Sequence, residues 1–398
     1  LHKAIRRQRQ MCIRDSIIIA LAVGTGVGVN TYMARLYAQK MPGQAEETAG
    51  TGTLLALGTW FIFAIFSIFC MRPYVLTSAN TPEAIESAVI YGQIVCIGSI
   101  GAFLEGNWTK VHQSRGNMHR PMVAQTVGAL TNIVLDPILI FGLGPVPELG
   151  VAGAAYATVC GQVAAAVITS FGGVGRLPER TKMPLYIKQI YWFGYASIIM
   201  QALFTVYIVI LNAILAGFSD SAVTVLGLYY KMQTFFFIPL MGLQTCIVPV
   251  LSFNYATKSY ARCREIMRDS YGFSCVFMLV GVICFVFFPV QLLQVFSKSS
   301  EVIAIGKNAF PIIGASFIPA VFSLMTPVFF QAIGNGKISL FLSVMRQICC
   351  LIPIFWLLSL IDLRFTWFAF PISEVLVGVT GIVLYYKEIK RDFDKGVA

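Results

Sequence analysis

Asp136 lies inside the apolar run 121–142, six residues before Gly142, or roughly 9 Å from one end of a helix rising ~1.5 Å per residue. An acid at that depth in an apolar segment is costly unless something satisfies it. Asn132 stands one turn earlier on the same helical face. Pro137 has no N–H, so the carbonyl of Ile133 loses its helical partner and is free to act as a ligand. Thr158 follows Gly150 by eight residues in the next apolar run, a comparable depth of ~12 Å. A carboxylate, an amide, a hydroxyl and a freed carbonyl supply the all-oxygen shell that hard cations such as sodium prefer. The carboxylate could instead carry a proton. Spacing alone equally allows a local hydrogen bond in a proline-kinked helix.

Other polar residues in apolar runs are weaker candidates. Glu374, in the last run, is about eight residues from its outer end, and a polar contact between helices competes with any role in transport. Glu105 is near the end of its run and suits an interfacial anchor. Lys231 is a lone cation with no evident partner in the sequence. Gln201, Tyr229 and Gln233, together with Gln93, Tyr207 and Gln244, could line a polar cavity, although scattered Gln and Tyr more often bridge helices. Catalytic readings find no support. His2, His112 and His119 fall outside the apolar runs with no metal-ligand spacing, and no Gly-rich loop ends in Lys-Ser/Thr. We therefore expect no enzyme, no cofactor and no bound metal beyond a sodium ion at Asp136.

The elements that must position these residues are membrane helices. Hydrophobic residues make up 57% of the 398 positions and charged residues 12%, about half the charged share of soluble domains. Runs long enough to cross ~30 Å of hydrocarbon fall at 17–38, 50–71, 86–107, 121–142, 151–172, 192–217, 222–247, 270–293, 304–330, 338–361 and 366–386. The ten cysteines lie mostly in these runs or in basic loops, and read as small apolar packing residues rather than a disulfide framework. The net charge of +11 does not indicate a nucleic-acid binder, because its Lys and Arg sit in the short loops between runs. Alternate loops, starting with 35–49 and ending with 387–398, hold 18 of them, and the opposite set holds 4, Arg72, Lys298, Lys307 and Arg364. The positive-inside rule places the first set, the even-numbered loops, in the cytoplasm.

An internal repeat organises the runs. Tyr37-Ala38-Gln39-Lys40 with Glu47 recurs as Tyr255-Ala256-Thr257-Lys258 with Glu265, and Gln113 with Gly116-Asn117 recurs as Gln331 with Gly334-Asn335, all at an offset of 218. Two matches at one offset point to tandem six-helix halves of the same orientation, parallel repeats about an axis normal to the membrane. At that offset a twelve-span fold has only eleven spans here, the first being absent. Residues 1–16, rich in Arg, read as a non-native or junction segment. The expected organisation is then an amino-terminal lobe over 17–172 (spans 2–6), a basic linker over 173–191, a carboxy-terminal lobe over 192–386 (spans 7–12) and a cytoplasmic tail over 387–398.

The runs Gln113-Ser114-Arg115-Gly116-Asn117, Asn132-Ile133-Val134-Leu135-Asp136-Pro137 through Gly142, and Gly150-Val151-Ala152-Gly153-Ala154-Ala155-Tyr156-Ala157-Thr158 resemble the multidrug and toxic compound extrusion (MATE) family. So do Gly24-Thr25-Gly26-Val27-Gly28 and Pro249-Val250-Leu251-Ser252-Phe253-Asn254. The resemblance implies an all-α fold of two six-helix lobes around a cavity that alternates its access. It implies a multi-pass protein of the plasma membrane, that of a bacterial inner membrane, acting as a monomer. It also implies antiport: export of organic cations, drugs or toxic metabolites in exchange for protons or sodium. By motif match the family's amino-terminal cation site falls on Asn132, Asp136 and Thr158, whereas its first-span aspartate has no counterpart here. Two other readings stay open. A flippase for lipid-linked precursors would need several cavity cations, for which Lys231 and Arg346 are the candidates. A non-transporting scaffold would need no Asp136.

Overall fold

In lipid a backbone N–H or C=O finds no water to bond, so a spanning segment closes its hydrogen bonds within itself and becomes a helix. The computed structural model of the protein, which describes residues 23–76, 82–142 and 147–396, follows that rule. Its helices are α1 (23–38), then α2 (Pro42–Val75), α3 (Pro82–Gly98), α4 (Ile100–Ser114), α5 (His119–Phe141), α6 (Gly150–Ser170), α7 (Met183–Leu215), α8 (Asp220–Ala256), α9 (Tyr260–Phe287), α10 (Pro289–Gln294), α11 (Ser300–Gly314), α12 (Phe317–Ala332), α13 (Gly336–Val344), α14 (Ile352–Ser359), α15 (Leu363–Thr366) and α16 (Ala369–Gly396). A π-helical stretch, Met345–Leu351, joins α13 to α14.

Eight segments are long and apolar enough to cross a membrane, and two bent pairs, α3 with α4 and α11 with α12, bring the number to ten among the described residues. The junction segment expected at 1–16 and the first six residues of the first apolar run lie outside the described residues. Large apolar side chains face outward, with Phe69, Phe235 and Val295 each more than 70% exposed, as lipid contact requires. The helices outrun the apolar windows. α8 has 37 residues and spans ~55 Å, residues 183–191 of the expected linker are already α7, and the expected tail is helical to Gly396. A hydropathy window measures the hydrocarbon layer, whereas a helix continues through the polar interface for as long as its backbone bonds are favoured.

The chain divides into two units at Ala202/Leu203, inside α7. In the first, α5 and α6 form the most extensive pairing. A Cβ placed on Gly128 would stand 2.9 Å from the Gly161 carbonyl oxygen, and one on Gly161 would stand 2.6 Å from that of Gly128. These two glycines let the helix backbones touch, which brings Asn132 of α5 across from Thr158 of α6. The second unit has an aromatic core in which Phe285, Phe310, Phe317 and Phe237 pack ring to ring.

The repeat is visible in backbone conformation. Lys40 and Lys258, offset by 218, have φ of 58° and 59°, and Gly116 and Gly334, also offset by 218, have φ of 74° and 77°. Each is the left-handed residue of the same helix-ending turn. Lys40 N–H donates to Tyr37 O at 3.1 Å and Met41 N–H to Leu36 O at 2.9 Å, while Lys258 N–H donates to Tyr255 O at 3.0 Å and Ser259 N–H to Asn254 O at 2.8 Å. The Tyr-Ala-x-Lys motif is thus a helix stop used once in each unit.

A buried ion pair organises the second unit. Arg346, on the π-helical stretch, donates Nη2 to Glu374 Oε1 at 2.6 Å and Nε to both carboxylate oxygens at 2.9 and 3.1 Å. Ser323 of α12 also donates to Glu374, and both charged side chains are nearly enclosed. Removing one member leaves a buried charge unmatched, whereas removing both does not. Glu374→Gln should lower stability by about 3–5 kcal/mol, and Arg346→Met with Glu374→Leu should recover most of it, as read from thermal unfolding in detergent. At the repeat turn, Lys258→Gly should raise stability by about 0.5–1 kcal/mol, since an L side chain is strained at that φ. The same measurement checks it, with no gain expected at an exposed helical lysine such as Lys231.

Candidate functional site

The small residues of α5 and α6 set the site, because only a close pair of helices can bring Asn132, Asp136 and Thr158 within reach of one another. Asn132 Nδ2 lies 3.5 Å from Asp136 Oδ1 and 3.4 Å from Thr158 Oγ1. Thr158 in turn donates to the carbonyl of Ala154 at 3.0 Å. All three predicted cation residues are therefore gathered, each half-buried. Their mutual contacts are long for hydrogen bonds, so the oxygens are loosely held. A half-turn of the Asn132 amide would present its oxygen beside those of Asp136 and Thr158. Such a set suits a hard monovalent cation, or a proton on Asp136, and Asp136 makes no ion pair among the described residues.

Asn132 and Thr158 open onto a cavity of about 320 Å³ between α4, α5 and α6, whose other polar lining residues are Glu105, Gln125 and Gln162. Glu105, expected as an interfacial anchor, is instead 8% exposed. Its Oε1 accepts from Thr109 Oγ1 at 2.6 Å and from Gln125 Nε2 at 2.9 Å. The signal was present in the sequence, since Gln125, Asn132 and Asp136 recur at helical spacing on α5. It was missed because only the fold turns α4 toward that face. A second cavity of about 280 Å³ between α1, α2 and α4 is lined by Thr25, Thr59, Asn107 and Lys110 among others.

The remaining candidates are dispersed. Gln201 is half-buried on α7 in the first unit, and Gln233 is half-buried on α8 in the second. Tyr229 is 3% exposed and fills the aromatic core against Tyr230, Phe285 and Phe370. Tyr207 packs edge-on to Tyr230. Gln244 donates to the Leu324 carbonyl at 3.1 Å, the interhelical contact that competed with a cavity role. Glu374 is taken up by Arg346, so the arginine weighed as a cavity cation is neutralised in place. Lys231 is exposed. His112, expected outside the spans, is 2% exposed on α4, with its ring nitrogen 2.9 Å from the Thr169 carbonyl oxygen. The helix simply extends past its apolar window and the neighbouring loop closes over it.

At the basic end of the first unit, Arg115 gathers three segments. It pairs with Glu46 at 2.6 Å, donates to Tyr37 Oη at 2.9 Å and donates to the Gly172 carbonyl. Arg120 donates to the Phe171 carbonyl, and Tyr186 donates to Glu47. This network ties α1, α2 and the ends of α4, α5, α6 and α7 together, with Glu46 and Glu47 of α2 as its acceptors.

Comparisons with known proteins agree with this architecture. The MatE family profile matches residues 14–138 and 196–357. An FAD transporter of Shewanella oneidensis is 25% identical over 389 residues, covering 91% of this chain and 82% of its own. The multidrug export protein MepA of Staphylococcus saprophyticus is 22% identical over 388 residues, covering 93% and 83%. Among solved structures, a multidrug resistance MATE transporter in its outward-facing conformation superposes with a TM-score of 0.85 at 22% identity, over 97% of this chain and 89% of that one. A MOP superfamily transporter from Pyrococcus furiosus superposes with a TM-score of 0.84 at 23% identity, over 97% and 88%. These structural likenesses extend to the fold, a tandem twelve-helix architecture. Because the family profile covers most of both halves, the chain belongs to the MatE family of multi-pass membrane transporters and is not an enzyme.

Proposed function

We propose that the protein is a secondary active exporter that moves organic cations, drugs or toxic metabolites out of the cell by alternating access, in exchange for protons or sodium. The observation that carries this reading is the oxygen cluster of Asn132, Asp136 and Thr158 beside the cavity that Asn132 and Thr158 line, with an acid that has no countercharge among the described residues. An ion bound there neutralises Asp136, and its departure restores a charge that the apolar surroundings penalise. Ion occupancy and the energy of the cavity are thereby linked, which antiport requires. The names of MepA and of the probable multidrug resistance protein NorM of Thermotoga maritima, 26% identical over 253 residues, support a drug-like cargo. We place the protein in a bacterial plasma membrane as a monomer, with the Lys- and Arg-rich loops in the cytoplasm.

A second reading concerns the cargo. The Shewanella relative is named an FAD transporter, and a dinucleotide is an anion. The flippase reading loses ground, since Arg346 is matched by Glu374 and only Lys231 remains of the two cations it would use. A scaffold would leave Asp136 without purpose.

Export of a fluorescent organic cation, and of FAD, read as uptake into inverted vesicles under a proton gradient and then a sodium gradient, tests these readings. Asp136→Asn should reduce gradient-driven efflux at least roughly tenfold, the loss of one charge-assisted contact of about 1.5–3 kcal/mol. Unchanged efflux in that variant would move coupling away from this cluster. Transport of FAD but of no cation would reverse the cargo class.

A further inference from the structure

Glu105 has no role in the site as described so far, yet it is among the most demanding residues in the first unit. It is a carboxylate 8% exposed within a membrane-spanning helix pair, and it makes no ion pair among the described residues. The cation one and a half turns further along α4, Lys110, turns to Gln113 at 3.1 Å and lines the other cavity. Its two hydrogen bonds, from Thr109 and Gln125, both go to Oε1. No described residue donates to Oε2. From α6, Gln162 lines the same cavity, and its Oε1 is buried with no hydrogen-bond donor. Beside this cavity stand a carboxylate without a countercharge among the described residues and a buried amide oxygen without a donor among them. A small cation would satisfy both, and a cation is what a charge at this depth lacks.

The position relates this group to Asp136. Gln125 precedes Asn132 by seven residues on α5, so Glu105 lies about 10 Å from Asn132 along the helix, toward the His119 end. Between them the lining is Gly128 and Ala129 on α5 and Gly161 on α6, side chains too small to close the passage. We propose that Glu105, with Gln125 holding its carboxylate and Gln162 supplying an amide oxygen, forms a second monovalent-cation site in this cavity, so that the coupling ion occupies two positions in series. Glu105 is the stop nearer the basic end, and Asp136, roughly 16 Å further along α5, is the stop nearer its Phe141 end. The inference rests on the exporter reading in taking Asp136 as the first stop. With both carboxylates occupied, an ion arriving at one would displace its neighbour from the other, so two ions are bound at once and neither carboxylate stands empty in apolar surroundings.

The test is ion stoichiometry in the purified full-length protein, by equilibrium binding of radioactive sodium and, separately, by proton uptake on a pH jump, with whichever ion binds then carried through the variants. The wild type should bind two ions, Asp136→Asn one, Glu105→Gln one, and the double variant none. Glu105→Asp, which keeps the charge, should retain two with an affinity reduced several-fold. Gln162→Leu should weaken one of the two sites several-fold and leave the other unchanged. Two ions in Glu105→Gln would overturn the second site while leaving the coupling role of Asp136 intact. Two ions in Asp136→Asn with one in Glu105→Gln would sink the Asp136 reading and keep this one. If Glu105→Gln loses both ions, Glu105→Asp decides: two ions there sustain the site, and one overturns it. A wild type that binds neither sodium nor protons overturns both.

Discussion

A charge within a bilayer has no water to fall back on, and the interior of this protein is arranged around that constraint. Its outer faces are apolar side chains turned toward lipid, and its polar groups are drawn inward. Among the acids so enclosed, Glu374 is matched by Arg346 within hydrogen-bond distance on three contacts. Asp136 and Glu105 are not matched by any basic side chain among the described residues. A paired charge is satisfied permanently, and it is the acids without such a partner on which the proposed ion sites rest.

The two units answer the constraint with different packing. The second is filled by rings, with Phe285 at the centre of a cluster that includes Phe310, Phe317 and Tyr229. Such rings leave little room, and among the described residues one buried ion pair, Arg346 with Glu374, sits in this unit. The first unit is built from small residues where α5 meets α6, and the backbones approach until carbonyls nearly touch the opposing glycines. α4 packs as closely on α6, where a Cβ on Gly101 would lie 2.9 Å from the Gln162 backbone, but meets α5 sparsely, and the space left between them is the cavity that Glu105, Asn132 and Thr158 share.

The tandem repeat survives in the backbone more faithfully than in the side chains. The helix stops at Lys40 and Lys258, and at Gly116 and Gly334, coincide in conformation because a left-handed turn is set by a few local hydrogen bonds. The groups around them have diverged. Arg115 ties three segments of the first unit together, and the corresponding position of the second unit is Ile333, which cannot do so.

The length of the apolar runs determined the membrane class, and two motif matches at one offset pointed to the repeat, because lipid thickness and backbone hydrogen bonding act on local segments and leave a local record. They also sufficed to single out Asn132, Asp136 and Thr158, two of which share one face of one helix. What lay between elements was not written locally. The sequence could not show that Arg346 closes on Glu374 across 28 residues, or that Tyr229 packs inward. It likewise could not show that His112 is enclosed by a loop, or that Glu105 reaches across to Gln125 on the next helix. Those outcomes depend on the rotation of one helix about its axis against another. Only the tertiary packing decides that rotation, in the first unit through such contacts as that of Gly128 with Gly161 and in the second through the packing of its rings.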